Sequence, residues 1–177
     1  MSTGPSNVYV WTSLLTDPDY LDQWDSRFTV ELWSNGRFES DSVDYKTIKA
    51  VAEGGFKMVF SNYEQTYIDA GYGGWNYERT MQKVYEDNPW KILERHEVSN
   101  MEEAQANALG GEIAMWTELT DDASLMATLE PRTAAYAETM WRDPRENNEW
   151  ADAAPRMIRH SDRLRERGIG ADALTQR

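Results

Sequence analysis

The sequence predicts an α/β fold in which successive βα units build a parallel sheet. Three observations carry that reading. Runs with strand character alternate with helical stretches as far as Thr120. No glycine-rich phosphate loop follows any of the strands, which argues against the doubly wound nucleotide-binding sheet that is the alternative. Each strand ends in Trp, or in an aromatic followed by polar residues: Trp11, Trp33, the run Phe60-Ser61-Asn62-Tyr63, and Trp116.

The first strand, Val8–Trp11, is bounded by a polar lead-in and by Thr12 and Ser13. Asp17-Pro18 then supplies an N-cap and a first-turn proline for a short helix to about Trp24. Phe28–Trp33 is a mostly apolar second strand that ends at a Ser34-Asn35-Gly36 turn. A helix follows from about Ser42 to Ala52, with Val43, Ile48 and Val51 as its buried stripe, and Gly54-Gly55 ends it. The third strand, Phe56–Phe60, opens into a run to Trp75 that is too glycine-rich for a helix and too aromatic for a linker. Tyr77 to Asp87 forms a helix with Met81, Val84 and Tyr85 on one face, and Asn88-Pro89 breaks it. Ser99 with Glu102 three residues later is a capping-box signature for a helix to about Ala108. The fourth strand is Gly111–Trp116. Beyond Thr120 the pattern is helical. Pro131 is the first-turn residue of a helix to Trp141 that Asp143-Pro144 stops, and a last helix runs from about Glu149 to Arg167, ending at Gly168.

Length makes the 177 residues one domain or a piece of a larger one. Four βα units are too few for a closed (β/α)₈ barrel, which takes about 250 residues. A formal net charge of −13 argues against a nucleic-acid backbone as partner. The basic cluster between Arg156 and Arg167 is interleaved with Asp162 and Glu166 and reads as a solvated helix face. There is no cysteine, hence no disulfide, thiol nucleophile or Cys-based metal site. The two histidines, His96 and His160, have no ligand-like spacing, so no metal is expected. No apolar run is long enough for a membrane span, and the start MSTGPSN does not read as a signal peptide.

The carboxyl ends of parallel strands converge on one face, so the strand-end aromatics are placed to line a pocket. A sugar ring presents an apolar C–H face and a rim of hydroxyls. Its match is an aromatic wall with carboxylates that accept hydrogen bonds. Trp11, Trp33 and Trp116 are candidate walls; Asp69, two residues past Tyr67, and Glu118, two past Trp116, are candidate carboxylates. The competing reading makes each Trp a core residue sealing the sheet end and each acid a loop acid or helix cap. The shared position after aromatic strand ends favours the saccharide site. Glu112, between Gly110-Gly111 and Ile113, reads as a buried structural acid in need of a partner such as Arg132.

The runs VYVWTSLLTD, TVELWSNG, MVFSNYEQTYIDAGYGGW, QKVYEDNP and LGGEIAMWTE resemble the carboxyl-terminal half of family 20 glycoside hydrolases. These are the β-N-acetylhexosaminidases, and the likeness is to the animal and insect group that degrades chitooligosaccharides. LEPRTAAYAETMW and RMIRHSDRLRERGIGADAL resemble the tail after the barrel. The resemblance implies strands five to eight of a (β/α)₈ barrel over residues 7–120 and a helical tail over 121–177. It implies release of terminal N-acetylhexosamine by substrate-assisted catalysis, an exception to the two-carboxylate scheme, without a cofactor or metal. Tyr67 would hold the acetamido carbonyl for attack, Trp11, Trp33 and Trp116 would wall the sugar, and Asp69 and Glu118 would bind its outer hydroxyls. The family further implies a secreted, lysosomal or cell-surface setting and frequent homodimers.

The departures bear on activity. The family's general acid is a Glu preceded by Asp, and no Asp-Glu dipeptide occurs in the chain; the arginine of the first barrel strand is missing as well. The loop after Trp75 is shorter than in the insect enzymes, Glu130 stands where relatives have Trp before Pro-Arg, and the closing Trp-Cys of many relatives is absent. The expectation is a carboxyl-terminal portion of a hexosaminidase that does not turn over by itself and whose open strand edges favour self-association. A non-catalytic N-acetylhexosamine-binding homologue and an inactive structural remnant are the alternatives.

Overall fold

A computed structural model of the chain describes residues 7–13, 16–33, 43–69, 80–118, 120–142 and 149–172. The described elements, in chain order, are β1 (Val8–Trp11), α1 (Pro18–Leu21), β2 (Phe28–Leu32), α2 (Val43–Glu53), β3 (Lys57–Phe60), α3 (Tyr63–Thr66), α4 (Met81–Glu86), α5 (Pro89–Arg95), α6 (Met101–Asn107), β4 (Ala108–Gly111), α7 (Leu125–Leu129), α8 (Arg132–Arg142) and α9 (Trp150–Glu166). They fall into two compact units, Met1–Glu64 with Pro89–Glu112, and Gln65–Asn88 with Ile113–Arg177. The turn at 34–36, the side chain of Val43, the loop from Ala70 to Arg79 and the Asp143-Pro144 stop lie outside the described residues.

The first unit is built on a sheet in the order β1-β2-β3-β4, with every neighbouring pair parallel. A doubly wound sheet reverses its strand order at a switch point. This sheet has no reversal, which is the progression of a βα barrel. Alternation along each strand sends one set of side chains to the helices. Val30, Leu32, Met58 and Phe60 pack there with Leu21, Ile48, Val51, Leu93 and Ala104 from α1, α2, α5 and α6. At the end of α2, Gly54 still donates its amide to Ala50 O at 2.8 Å, and a Cβ at Gly54 would lie 2.9 Å from that same oxygen. Gly55 then turns the chain with φ of +74°.

Four local expectations are corrected. The capping box at Ser99 does not form: Ser99 donates its amide to Glu53 Oε1 at 2.9 Å, and the helix starts one residue later with Asn100 as its cap. The fourth strand runs over Ala108–Gly111 and not Gly111–Trp116, because β3 takes its ladder partners from Ala108 onward and the strand follows α6 with no intervening turn. The helix expected from Tyr77 begins at Met81, where the Thr80 hydroxyl accepts the Lys83 amide at 3.3 Å. Pro131 precedes α8 with a cis peptide bond instead of opening it. Pro89, expected only to break a helix, also starts α5, which buries Trp90, Ile92 and Leu93.

In the second unit, α4, α8 and α9 enclose Met81, Tyr85, Ala135, Ala153 and Met157. The Tyr85 hydroxyl donates to Glu138 Oε1 at 3.2 Å, and Arg156 forks onto the same carboxylate with Nη2 at 2.5 Å. The Arg156 guanidinium holds the Glu138 carboxyl below the usual range, while burial, then the Glu138 charge, pushes the Tyr85 phenol up. Thr139 Oγ1 ties the same helix to Tyr85 O at 2.6 Å. A second cluster joins Ile68, Val84 and Tyr136, with Ile113, Met115, Leu129 and Met140 against it. Among the described residues no helix is long and apolar enough to cross a membrane.

Two predictions follow from these packings. His96 is buried, with Nδ1 2.6 Å from Ile92 O and its ring stacked on Tyr45 at 4.7 Å. Burial depresses its pKa from 6.5, so the native state binds fewer protons than the unfolded one below that value. The contribution of neutral His96 is fully present above 6.5 and is lost as pH falls through 6.5 toward the lowered folded value. Urea unfolding should show stability dropping over that window, and His96→Phe, which keeps a stackable ring, should flatten the drop; an unchanged pH slope in the variant refutes it. Among the described residues β1 and β4 each pair on one side only, so light scattering should show association rising with protein concentration; a monomer across the whole range counts against it.

Candidate functional site

In the first unit, Trp11 closes β1 and lies in register with Glu31. Trp33 follows β2, and its indole Nε1 donates to Thr12 O at 2.6 Å while its amide donates to Thr12 Oγ1 at 3.2 Å. Thr12 thus holds the Trp33 ring from the next strand. Both rings remain exposed in their unit, Trp11 at 43% and Trp33 at 42%.

In the second unit, residues 66–69 and 113–116 lie side by side. Ala114 donates its amide to Thr66 O at 3.0 Å and Ile68 donates to Ala114 O at 2.9 Å, making the parallel bridge Tyr67↔Ala114. Alternation on each segment then separates two faces. Ile68, Ile113 and Met115 go to the apolar cluster with Val84 and Tyr136. The rings of Tyr67 and Trp116 meet at 6.3 Å with a 37° tilt. Tyr67 and Asp69 are buried, at 8% and 4% exposure, whereas Trp116 is half exposed. Glu118 is exposed in a bend two residues on and makes no hydrogen bond or ion pair among the described residues. The structure therefore brings Tyr67 and Trp116 together and fixes Trp11 and Trp33 in the other unit. It leaves Glu118 in solvent.

The acid read as a buried structural residue is different in kind. Glu112 is half-buried, and the group that feels its charge is Glu31. Burial, then the neighbouring Glu112 charge, pushes the Glu31 carboxyl up. Arg132, expected as the Glu112 partner, donates to Ala127 O and Thr128 O at 3.1 and 3.0 Å and pairs with Asp172 at 3.5 Å, so it serves the carboxyl end of α7. Sequence reading missed Glu31 because it sits in an apolar run; the period-two alternation of Thr29, Val30, Glu31 and Leu32 was the available signal. Among the described residues no cluster of three or more His, Cys, Asp or Glu could hold a metal ion.

The paired backbone makes a prediction. Ala114→Pro deletes the amide that Thr66 O accepts and should release the Tyr67–Trp116 contact, at a cost of about 1–3 kcal/mol. Near-UV circular dichroism should lose the same component that Trp116→Phe removes; an unaltered spectrum would show that the bridge does not set the ring geometry.

Comparison with known proteins gives the family. The glycosyl hydrolase family 20 catalytic domain matches residues 1–144. A probable beta-hexosaminidase of Drosophila melanogaster is 35% identical over 182 residues, covering 96% of this chain and 26% of its own length. A chitooligosaccharidolytic beta-N-acetylglucosaminidase of Ostrinia furnacalis is 34% identical, covering 94% of this chain and 27% of its own length. The chain thus spans about a quarter of the length of these curated relatives. Among solved structures, the Flavobacterium johnsoniae chitobiase superposes with a TM-score of 0.66 at 26% identity, over 92% of this chain and 22% of that one. The family 20 beta-N-acetylhexosaminidase of Streptomyces coelicolor A3(2) gives 0.71 at 19% identity, over 96% and 33%, a likeness of fold. The fold is α/β, part of a (β/α)₈ barrel with carboxyl-terminal helices. With sheet order and sequence pattern in agreement, the chain belongs to glycosyl hydrolase family 20.

Proposed function

We propose that these 177 residues form the sugar-holding part of a β-N-acetylhexosaminidase that releases terminal non-reducing N-acetylhexosamine from glycans or chitooligosaccharides. The observation that carries the reading is the Tyr67 phenol held against the Trp116 ring at 6.3 Å by a hydrogen-bonded backbone pair. A phenol at the edge of an aromatic wall suits an N-acetyl group: the ring packs on its methyl and the hydroxyl donates to its carbonyl oxygen. In substrate-assisted hydrolysis that oxygen attacks the anomeric carbon as the glycosidic bond breaks, and the leaving oxygen takes a proton from a general acid. Tyr67 would orient the acetamide. Trp11, Trp33 and Trp116 would offer C–H-facing walls, and Asp69 and Glu118 would accept hydrogen bonds from ring hydroxyls. Burial of Asp69 favours it over exposed Glu118 as the more discriminating of the two.

The proton is the missing element. No Asp-Glu pair occurs in the 177 residues, so the acid would have to come from outside them. Purified chain should therefore show no turnover of an aryl N-acetylglucosaminide while binding N-acetylglucosamine, with affinity falling about tenfold or more in Tyr67→Phe or Asp69→Asn. Turnover by the chain that Tyr67→Phe abolishes would sink the assignment of the acid. The same missing pair favours a second reading, a non-catalytic binding homologue. Restoring an Asp-Glu-bearing amino-terminal barrel half from a relative separates the two: recovered turnover supports the enzyme, and binding without turnover supports the module.

A further inference from the structure

Along α9, Arg156, Arg159, His160 and Arg163 recur at the spacing that puts residues on one helix face. With Ala134, Ala137 and Glu138 of α8 and with Met157, they line a groove of about 500 Å³. The charges in it do not all cancel. Glu138 is engaged by Arg156 at 2.5 Å and by Arg142 at 3.5 Å, and His160 Nε2 lies 4.0 Å from Glu130. Arg159 and Arg163 are left over: among the described residues neither has an ion pair or hydrogen-bonded side-chain partner. That is unexpected where 31 acidic residues face 18 basic ones. Two like charges four residues apart on a helix also repel each other. The helix dipole accounts for cations in the last turn, Arg163 and Arg165, and not for Arg159 a turn earlier.

We propose that this groove binds a small organic anion, its oxyanion head held by Arg159 and Arg163 and its apolar body laid over Ala134, Ala137 and Met157. Two guanidinium forks one helical turn apart match the spread of a phosphate, sulfate or carboxylate group. The volume lies in the ligand-pocket range of about 300–1,000 Å³. Ala134, Ala137 and Met157 give the groove its apolar part, and the other charges that line it, Arg156 and Glu138, are engaged with each other. This site is separate from the Tyr67–Trp116 pair and stands whether or not that pair binds sugar.

The test is calorimetric titration of the chain at low ionic strength with phenyl phosphate, benzenesulfonate and benzoate, and with inorganic phosphate and phenol as half-ligands. Saturable one-to-one binding is expected for at least one aryl anion, tighter than for either half-ligand, and the ranking of the three identifies the head group. Arg159→Gln with Arg163→Gln should weaken it by about tenfold or more. Arg159→Lys with Arg163→Lys keeps charge and helix and should still weaken it, because an ammonium cannot form the fork. Tyr67→Phe should leave it unchanged. Wild-type affinity in both double variants, no saturable binding of any of the three aryl anions, or no preference for an aryl anion over inorganic phosphate would overturn the proposal.

Discussion

Successive side chains of an extended segment leave on opposite faces, and in this protein that constraint sorts the apolar anchors from the polar and aromatic residues beside them. Val30 and Leu32 go to the helices, so Glu31 and Trp33 go the other way. Ile68 is drawn into the cluster with Val84 and Tyr136, and Tyr67 and Asp69 take the positions on either side of it. Ile113 and Met115 do the same for Trp116. Each apolar anchor that is buried therefore fixes the direction of the polar or aromatic residue beside it. On the reading proposed above, a core substitution at Ile68 would act on the sugar site without touching the sugar.

Charged side chains tie helices to their neighbours at two places. Tyr85, Glu138 and Arg156 knit α4, α8 and α9 through one carboxylate that accepts from both a phenol and a guanidinium. Removing Arg156 alone would leave Glu138 with less compensation in a partly buried place, the costlier kind of change. Glu53, at the end of α2, instead takes the Ser99 amide and fixes the entry into α6. In both cases a charged group links segments distant in sequence, and apolar contacts supply the bulk of the packing.

How much of this was legible in the sequence depended on whether the deciding partner was local. Val8–Trp11 and Phe28–Leu32 could be read from β-forming runs closed by Trp, and α9 from its apolar stripe and terminal Gly168. The start of β4 at Ala108 was not legible, since only pairing with Met58 makes that residue a strand. Ser99 carried a capping signature that Glu53, 46 residues away, overrode. Tyr67, Asp69 and Trp116 were recognisable by residue type and motif, yet their arrangement rests on one bridge, Tyr67↔Ala114, that no local pattern announces. Glu31 was hidden by apolar neighbours that face the opposite way.

Trp33 donates its only side-chain N–H to the Thr12 carbonyl. An indole so engaged has no donor left for a ligand and can offer only its π face. On the reading proposed above, it would sense the shape of the C–H face of a stacked ring, which an axial hydroxyl interrupts, and would hydrogen-bond no particular hydroxyl. Hydrogen-bonded readout of the hydroxyls would then fall to acceptors with fixed positions, Asp69 foremost, so that stacking and hydroxyl recognition would be carried by different residues.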